Sequence, residues 1–201
     1  MILDSRNMSL HDLYRLLSGT VLPRPIAFVS TVGPDGVYNL APFSFYTILC
    51  SKPAMVGVSV ARRDGGEKKD TARNIELAGD FVINMVTEEL TERMNITAAD
   101  FPPGVDEFQK ARLTPLQSDM VKSPRLAESP INLECRLDRV LEFGRTPASS
   151  FFVGEVVRFH IKDEFYQNGR LDFKKMKPIG RLAGDSYCRI TDLFDMKRPG
   201  E

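Results

Sequence analysis

The chain has 201 residues, with 27 Lys+Arg against 27 Asp+Glu and a formal net charge of zero. That length supports one domain, read as residues 1–201, with a core large enough to need no disulfide staples. The charge balance excludes a global field that would draw nucleic acid or an acidic membrane, and no apolar run reaches the roughly 20 residues of a membrane span.

Cys50, Cys135 and Cys188 are far apart and odd in number. That argues against a disulfide framework and for a reducing, cytoplasmic compartment. The start, MILDSRNMSL, lacks the basic and apolar regions of a signal peptide.

Ser9 is placed to cap a short helix whose apolar positions are Leu10, Leu13, Leu16 and Leu17, with Gly19 as its stop. A hairpin follows, PRPIAFVSTVGPDGVYNLAPFSFY, from Pro23 to Tyr46. Ile26 to Val32 is a β-branched and aromatic run, and Gly33, Pro34, Asp35 and Gly36 supply the turn. The return strand carries Asn39, Leu40, Ala41, Pro42, Phe43 and Ser44. Pro42 has no N–H, which argues against a central paired strand there. Asn39 and Ser44 offer hydrogen bonds beside small side chains, so this edge suits a flat ligand lying against backbone.

Tyr46 to Cys50 and Met55 to Val60 are the next strands, divided by Ser51, Lys52 and Pro53. Arg62 to Lys69 is a charged, glycine-containing loop, and Asp70 or Thr71 caps a helix that ends at Gly79. A phosphate there would meet cations, free N–H groups and the helix dipole. A solvated loop is the bland alternative. Asp70 as a cap would compete with an anion, so Lys69 and Thr71 are the better contacts. Phe81 to Val86 is a strand, and Glu88 to Asn95 a helix.

Ala99 to Pro130 reads as an irregular insertion with a short helix near Asp106 to Ala111. Strand pattern then returns. Leu133, Cys135, Leu137, Leu141 and Phe143 alternate with Glu134, Arg136, Asp138 and Glu142; Phe151, Val153, Val157, Phe159 and Ile161 also fall in phase. Glu155 lies in that apolar phase and favours a buried ion pair. The architecture expected is β-rich α+β, an antiparallel Greek-key barrel with peripheral helices.

Gly57 to Ala61 (GVSVA) is a near miss to the nucleophile elbow, but flanking valines keep Ser59 on a strand, as a hydroxyl on its face. The two histidines, His11 and His160, and the scattered cysteines show no metal-ligand spacing, and His160 falls on a polar phase. Gly180 to Tyr187 is either a connecting loop or one that delivers Arg181 and Tyr187 to a ligand. No Rossmann fingerprint, P-loop or CxxC pair is present.

The hairpin, then KKDTARNI from Lys68 to Ile75, then FVINMV, then PIGRLAGDSY from Pro178 to Tyr187 occur in one order. This combination resembles the flavin-reductase-like family with an FMN-binding split β-barrel, in particular its flavoredoxin-like branch, over roughly Leu10 to Leu193. The resemblance implies a homodimer with FMN near the subunit interface. It places the flavin ring along Asn39, Ala41, Pro42, Phe43 and Ser44, and the ribityl chain or phosphate at Ser59, Arg62, Lys69 and Thr71. Arg24, Ser30 and Thr31 are further candidates on the adjoining strand. Arg181 and Tyr187 border the ring or the second substrate. NADH or NADPH would reduce the flavin, which then reduces free flavin or another small-molecule acceptor. Alternatively FMN is the prosthetic group of an electron carrier reduced by a partner protein. A barrel that binds another ligand, or serves as an interaction module, is the non-redox reading. Since the flavin carries the redox chemistry, no catalytic residue is singled out.

Overall fold

The structure, a computed structural model, describes residues 1–144 and 149–200. Helix α1 (Leu10–Thr20) is capped by Ser9, whose hydroxyl accepts from the Asp12 N–H. It runs through Gly19 rather than stopping there and is closed at Val21. Four strands follow: β1 (Ala27–Val32), β2 (Tyr38–Phe43), β3 (Tyr46–Ser51) and β4 (Ala54–Ala61). Gly36 takes a φ of 81° in the β1–β2 turn, a conformation that costs glycine little. Then come α2 (Asp70–Ala78), β5 (Asp80–Met85) and α3 (Thr91–Ile96). Lys69, not Asp70 or Thr71, occupies the N-cap position of α2 without a side-chain cap, and Gly79 closes the helix in the left-handed region.

The insertion holds α4 (Glu107–Lys110) and a short ladder of β6 (Pro115–Leu116) with β7 (Arg125–Leu126). Two long strands, β8 (Ile131–Phe143) and β9 (Ser149–Ile161), lead to β10 (Tyr166–Gln167), β11 (Arg170–Leu171) and α5 (Phe173–Met176). A last hairpin pairs β12 (Ile179–Arg181) with β13 (Tyr187–Arg189).

Seven strands form one sheet in the order β2-β1-β5-β8-β9-β4-β3, with antiparallel pairing throughout. Its edge strands, β2 and β3, are consecutive in the chain and joined only by Ser44 and Phe45. The sheet must therefore curl until its edges approach each other. The Phe45 carbonyl accepts from the Ser59 N–H at 2.8 Å, which fastens that corner to β4. This is the antiparallel split barrel expected from the sequence. Pro42 sits on an edge strand, as its missing N–H requires.

Val29, Val58, Phe81, Ile83, Cys135 and Phe152 pack within the barrel, while Phe28, Leu40, Leu90, Met94, Phe108 and Leu126 form a second core beneath the insertion. Strand β1 feeds both, so its apolar run does not alternate. Burial pushes the Cys135 thiol far up, which suits a packing residue and not a nucleophile.

Register shifts at Glu134/Cys135 and at Leu137/Arg139 overturn part of the expected alternation. Each extra residue reverses the phase beyond it. Val140 thus packs against the core, and Leu141 and Phe143 are exposed. On β9 the interior takes Phe152 and Val156 while Phe159 is exposed. Glu155 is exposed opposite Arg136, so the buried ion pair expected of it does not form.

Glu134, expected on the polar face, is 0% exposed. Its carboxylate accepts from the N–H groups of Asp119 (2.8 Å) and Met120 (2.6 Å) and lies 2.5 Å from His160 Nε2. His160 is accordingly half-buried rather than free on the surface. Asp80 holds the same segment through the N–H groups of Lys122 and Ser123, both at 3.1 Å. Two carboxylates thus latch residues 119–123 to the sheet. Asp119, Glu134 and His160 bring ligating atoms within 4.8 Å of one another. Arg158 at 3.1 Å from Asp119 and Arg125 at 3.9 Å from Glu134 supply the positive charge there.

Burial raises the Glu134 pKa, but the two N–H donors and His160 outweigh it and leave the group below its ordinary 4.5. A depressed folded pKa contributes stability above the unfolded value, and that contribution is lost as pH falls through the folded one. Melting temperature should therefore fall more steeply below about pH 4.5 in the wild type than in Glu134→Gln. Parallel calorimetric pH profiles would refute the latch.

Candidate functional site

Two adjoining hollows lie along the β2 edge. The larger, about 340 Å³, is bordered by Pro42, Phe43, Ser44, Ser59, Lys69, Arg181 and Tyr187. The smaller, about 90 Å³, is bordered by Asn39, Ala41, Pro42, Phe43, Lys69 and Thr71. Pro42, Phe43 and Lys69 belong to both, so the hollows form one trough. Residues picked from distant stretches of the sequence meet there, because the barrel brings β2, β4, the start of α2 and the β12–β13 hairpin together.

Arg62 is the exception. Its guanidinium donates to both carboxylate oxygens of Glu142 at 2.9 Å, and it borders neither hollow. The other loop cations are also engaged, with one exception. Arg63 pairs with Asp100 and, at 3.3 Å, with Asp70. Lys68 holds Glu76 at 2.5 Å. Lys69 has no carboxylate partner among the described residues. It stands beside the first turn of α2, where the N–H groups of Asp70, Thr71 and Ala72 have no acceptor within the helix. Asp70, foreseen as a competitor for an anion, has its charge answered by Arg63 and Arg73.

The side chains of Asn39 and Thr71 build the trough without pointing a free group into it. Thr71 Oγ1 donates to Asn39 Oδ1 at 2.6 Å, and Thr31 Oγ1 donates to the same oxygen at 3.3 Å. Asn39 Nδ2 and the Leu40 N–H donate to Glu107 Oε2 at 3.0 and 3.1 Å. This buried network fastens α2 to β2, and leaves Thr71 to offer its backbone N–H. Burial, over the opposing pull of its N–H donors, raises the Glu107 pKa.

Ser30 and Thr31 are fully buried, with Ser30 bonded to the Pro124 carbonyl. Arg24 is a clamp. Its guanidinium donates to the carbonyls of Ser18, Val21 (3.1 Å) and Leu182 (2.8 Å), and to Ser44 Oγ (3.3 Å). It joins the end of α1 and the late loop to the corner after β2.

Sequence reasoning missed Glu107, Tyr14 and Phe45. Glu107 follows a capping Asp106 and otherwise looks like any helical acid. Tyr14 and Phe45 stack at 6.3 Å with 26° between ring planes and border the larger hollow. Only the packing of α1 against the β2–β3 corner reveals them.

A second cavity, about 540 Å³, is bordered by Tyr46, Ile48, Leu133, Phe159, Ile161 and Ile190. The one cation on its border, Arg24, is engaged by three carbonyls and Ser44, and the rest of the lining is largely apolar. Burial pushes the Tyr46 phenol up to about 12. No helix among the described residues is long and apolar enough to cross a membrane.

Residues 18–177 match the model of the flavin reductase like domain. Nitrilotriacetate monooxygenase component B from Bacillus cereus superposes with a TM-score of 0.95 at 38% identity, covering 98% of each chain. The 2-nitrobenzoate 2-nitroreductase of Pseudomonas fluorescens does so with a TM-score of 0.90 at 29% identity, covering 100% of this chain and 97% of that one. Flavoredoxin of Desulfovibrio vulgaris shares the fold, with a TM-score of 0.79 at 20% identity over 100% of this chain and 99% of its own. A barrel whose edges meet at Ser44 and Phe45, a trough along that corner and a family match over most of the chain agree. This protein belongs to the flavin reductase like domain family.

Proposed function

We propose that this protein is an FMN-dependent oxidoreductase of the flavin reductase type. NADH or NADPH reduces the bound flavin, and a small-molecule acceptor or a redox partner protein is reduced in turn. The observation that carries the reading is a single trough in which a lysine with no carboxylate partner among the described residues and a helix N-terminus stand beside an open strand edge. FMN has matching parts: a dianionic phosphate, a hydroxylated chain and a flat ring with a hydrogen-bonding edge. When bound, the flavin supplies the hydride chemistry.

The protein's own residues bind and orient. Lys69 and the N–H groups of Asp70 and Thr71 take the phosphate. Ser59 faces the chain. The segment Ala41 to Ser44 receives the ring, with Pro42 keeping the ladder from closing over it. Asn39 and Glu107 hold that segment against α2. Purified protein should be yellow, and anaerobic NADH or NADPH should bleach it. Bleaching by neither, with FMN retained, transfers the reading to an electron carrier reduced by another protein. Colourless protein without affinity for FMN overturns both.

We also propose a cytoplasmic homodimer, acting without nucleic acid or membrane. Ile48 is 77% exposed and Phe159 55% exposed on the rim of the apolar cavity, more than an isolated small hydrophobe explains. Phe159→Asp should convert a dimer to a monomer in sedimentation velocity. A wild-type protein that sediments as a monomer at micromolar concentration refutes this assembly.

A further inference from the structure

Arg181 is a second cation of the trough with no carboxylate partner among the described residues. Its guanidinium lies over the Tyr187 ring, 4.5 Å from the centroid, and makes one long bond, 3.4 Å, to the Ser186 carbonyl. The Tyr187 face holds the guanidinium by a cation–π contact, and most of its N–H groups have no partner among the described residues. The Arg181 N–H donates to the Arg24 carbonyl at 2.9 Å, and Arg24 in turn reaches Ser44. Arg181 therefore sits at the Ser44 end of β2.

Lys69 borders both hollows and adjoins Thr71, whose hydroxyl bonds Asn39 at the other end of β2. At about 3.3 Å per residue, Asn39 and Ser44 are about 16 Å apart. A phosphate seated on the N–H groups of Asp70 and Thr71 lies in the smaller hollow, which Arg181 does not border, while Lys69 borders both. The wall at the Arg181 end is aromatic, formed by the stacked pair Tyr14 and Phe45 together with Tyr187.

Resting on the flavin reading above, we infer that this end of the trough binds the second substrate, a flat aromatic ring bearing a carboxylate. The carboxylate pairs with Arg181. A planar guanidinium held by a ring offers two parallel N–H groups to a planar two-oxygen anion, a match that a lysine cannot reproduce. The ring lies against Tyr14 and Phe45, on the side where a flavin seated on Ala41 to Ser44 is open to it. Arg181 is thus a specificity residue for anionic over neutral acceptors.

The test is calorimetric titration of the FMN-loaded protein with benzoate and with benzamide, which keeps the ring and removes the charge. Benzoate should bind at least about tenfold more tightly, the effect of one charge-assisted pair. Arg181→Gln should abolish the difference, and Arg181→Lys should restore only part of it. Equal binding of the two ligands to wild type, or discrimination that survives in Arg181→Gln, overturns the proposal. So does a parallel loss of FMN affinity in Arg181→Gln, which would assign the residue to the flavin. A tenfold-range rise (about 1.4 kcal/mol) in the NADH dissociation constant with benzoate unaffected would assign it to the nicotinamide and overturn the proposal too. Should wild type bind no FMN, the flavin reading falls by itself, and the same titrations on the apoprotein still decide whether Arg181 selects the carboxylate.

Discussion

Lys69→Ala lowers the affinity for FMN by about tenfold to a hundredfold and leaves riboflavin binding within about twofold. The first figure is the range of about 1.5–3 kcal/mol for a hydrogen bond to a charged group, converted to a ratio. The asymmetry follows from the neighbours. Arg62, Arg63 and Lys68 are each held by a carboxylate and cannot move to the phosphate without breaking an ion pair. Riboflavin lacks the phosphate and has nothing to lose. Fluorescence quenching of both ligands measures this directly. Equal losses would place Lys69 at the ring or chain and remove the phosphate from the start of α2. Binding of FMN, unlike riboflavin, should also weaken as salt rises, because a partly exposed lysine is screened. Thr71 is a poor probe of the phosphate, since removing its hydroxyl breaks the buried bond to Asn39.

Gly154→Ala costs about 3 kcal/mol of stability, at the upper end of what overpacking a well-filled core costs. Gly154 lies on β9 against β5. A Cβ there would stand 2.5 Å from Cζ of Phe81, 2.8 Å from its Cε1 and 3.2 Å from the Cβ of Cys135. Phe81 and Cys135 are both fully buried, so neither has room to retreat. At about 2–4 °C per kcal/mol for a chain of this size, the melting temperature should drop by about 6–12 °C. FMN affinity measured well below that transition should be unchanged, because Gly154 borders neither hollow. A loss below about 2 °C would mean that the Phe81 ring shifts freely, contrary to its packing.

Much of the local structure was readable from residues alone. The β1–β2 hairpin, the stop at Gly79 and the edge position of Pro42 each depend on one residue's allowed φ or missing donor. Such properties act within a few positions along the chain. The alternation on β8 and β9 was readable only as far as the first bulge. Hydropathy cannot report an inserted residue that reverses the phase, so Leu141 and Phe143 read as continuing the apolar face of β8 although they are exposed. Nor can it show that residues 119–123 fold over the polar face and bury Glu134.

The trough divides in the same way. Its parts were recognisable as a strand edge, a basic loop before a helix and a late polar loop. Which cation of that loop is free was decided by Glu142, 80 positions from Arg62. That Asn39 and Thr71 brace the site depends on Glu107, 68 positions from Asn39. Tyr14 and Phe45 form a wall only because α1 packs against the β2–β3 corner. The elements, their order and the kind of chemistry each segment carries follow from the residues in chain order, because these rest on local backbone and side-chain properties. Which polar groups are spent on one another and which remain for a ligand emerges with the folded packing, because burial and pairing are settled between residues far apart in the chain.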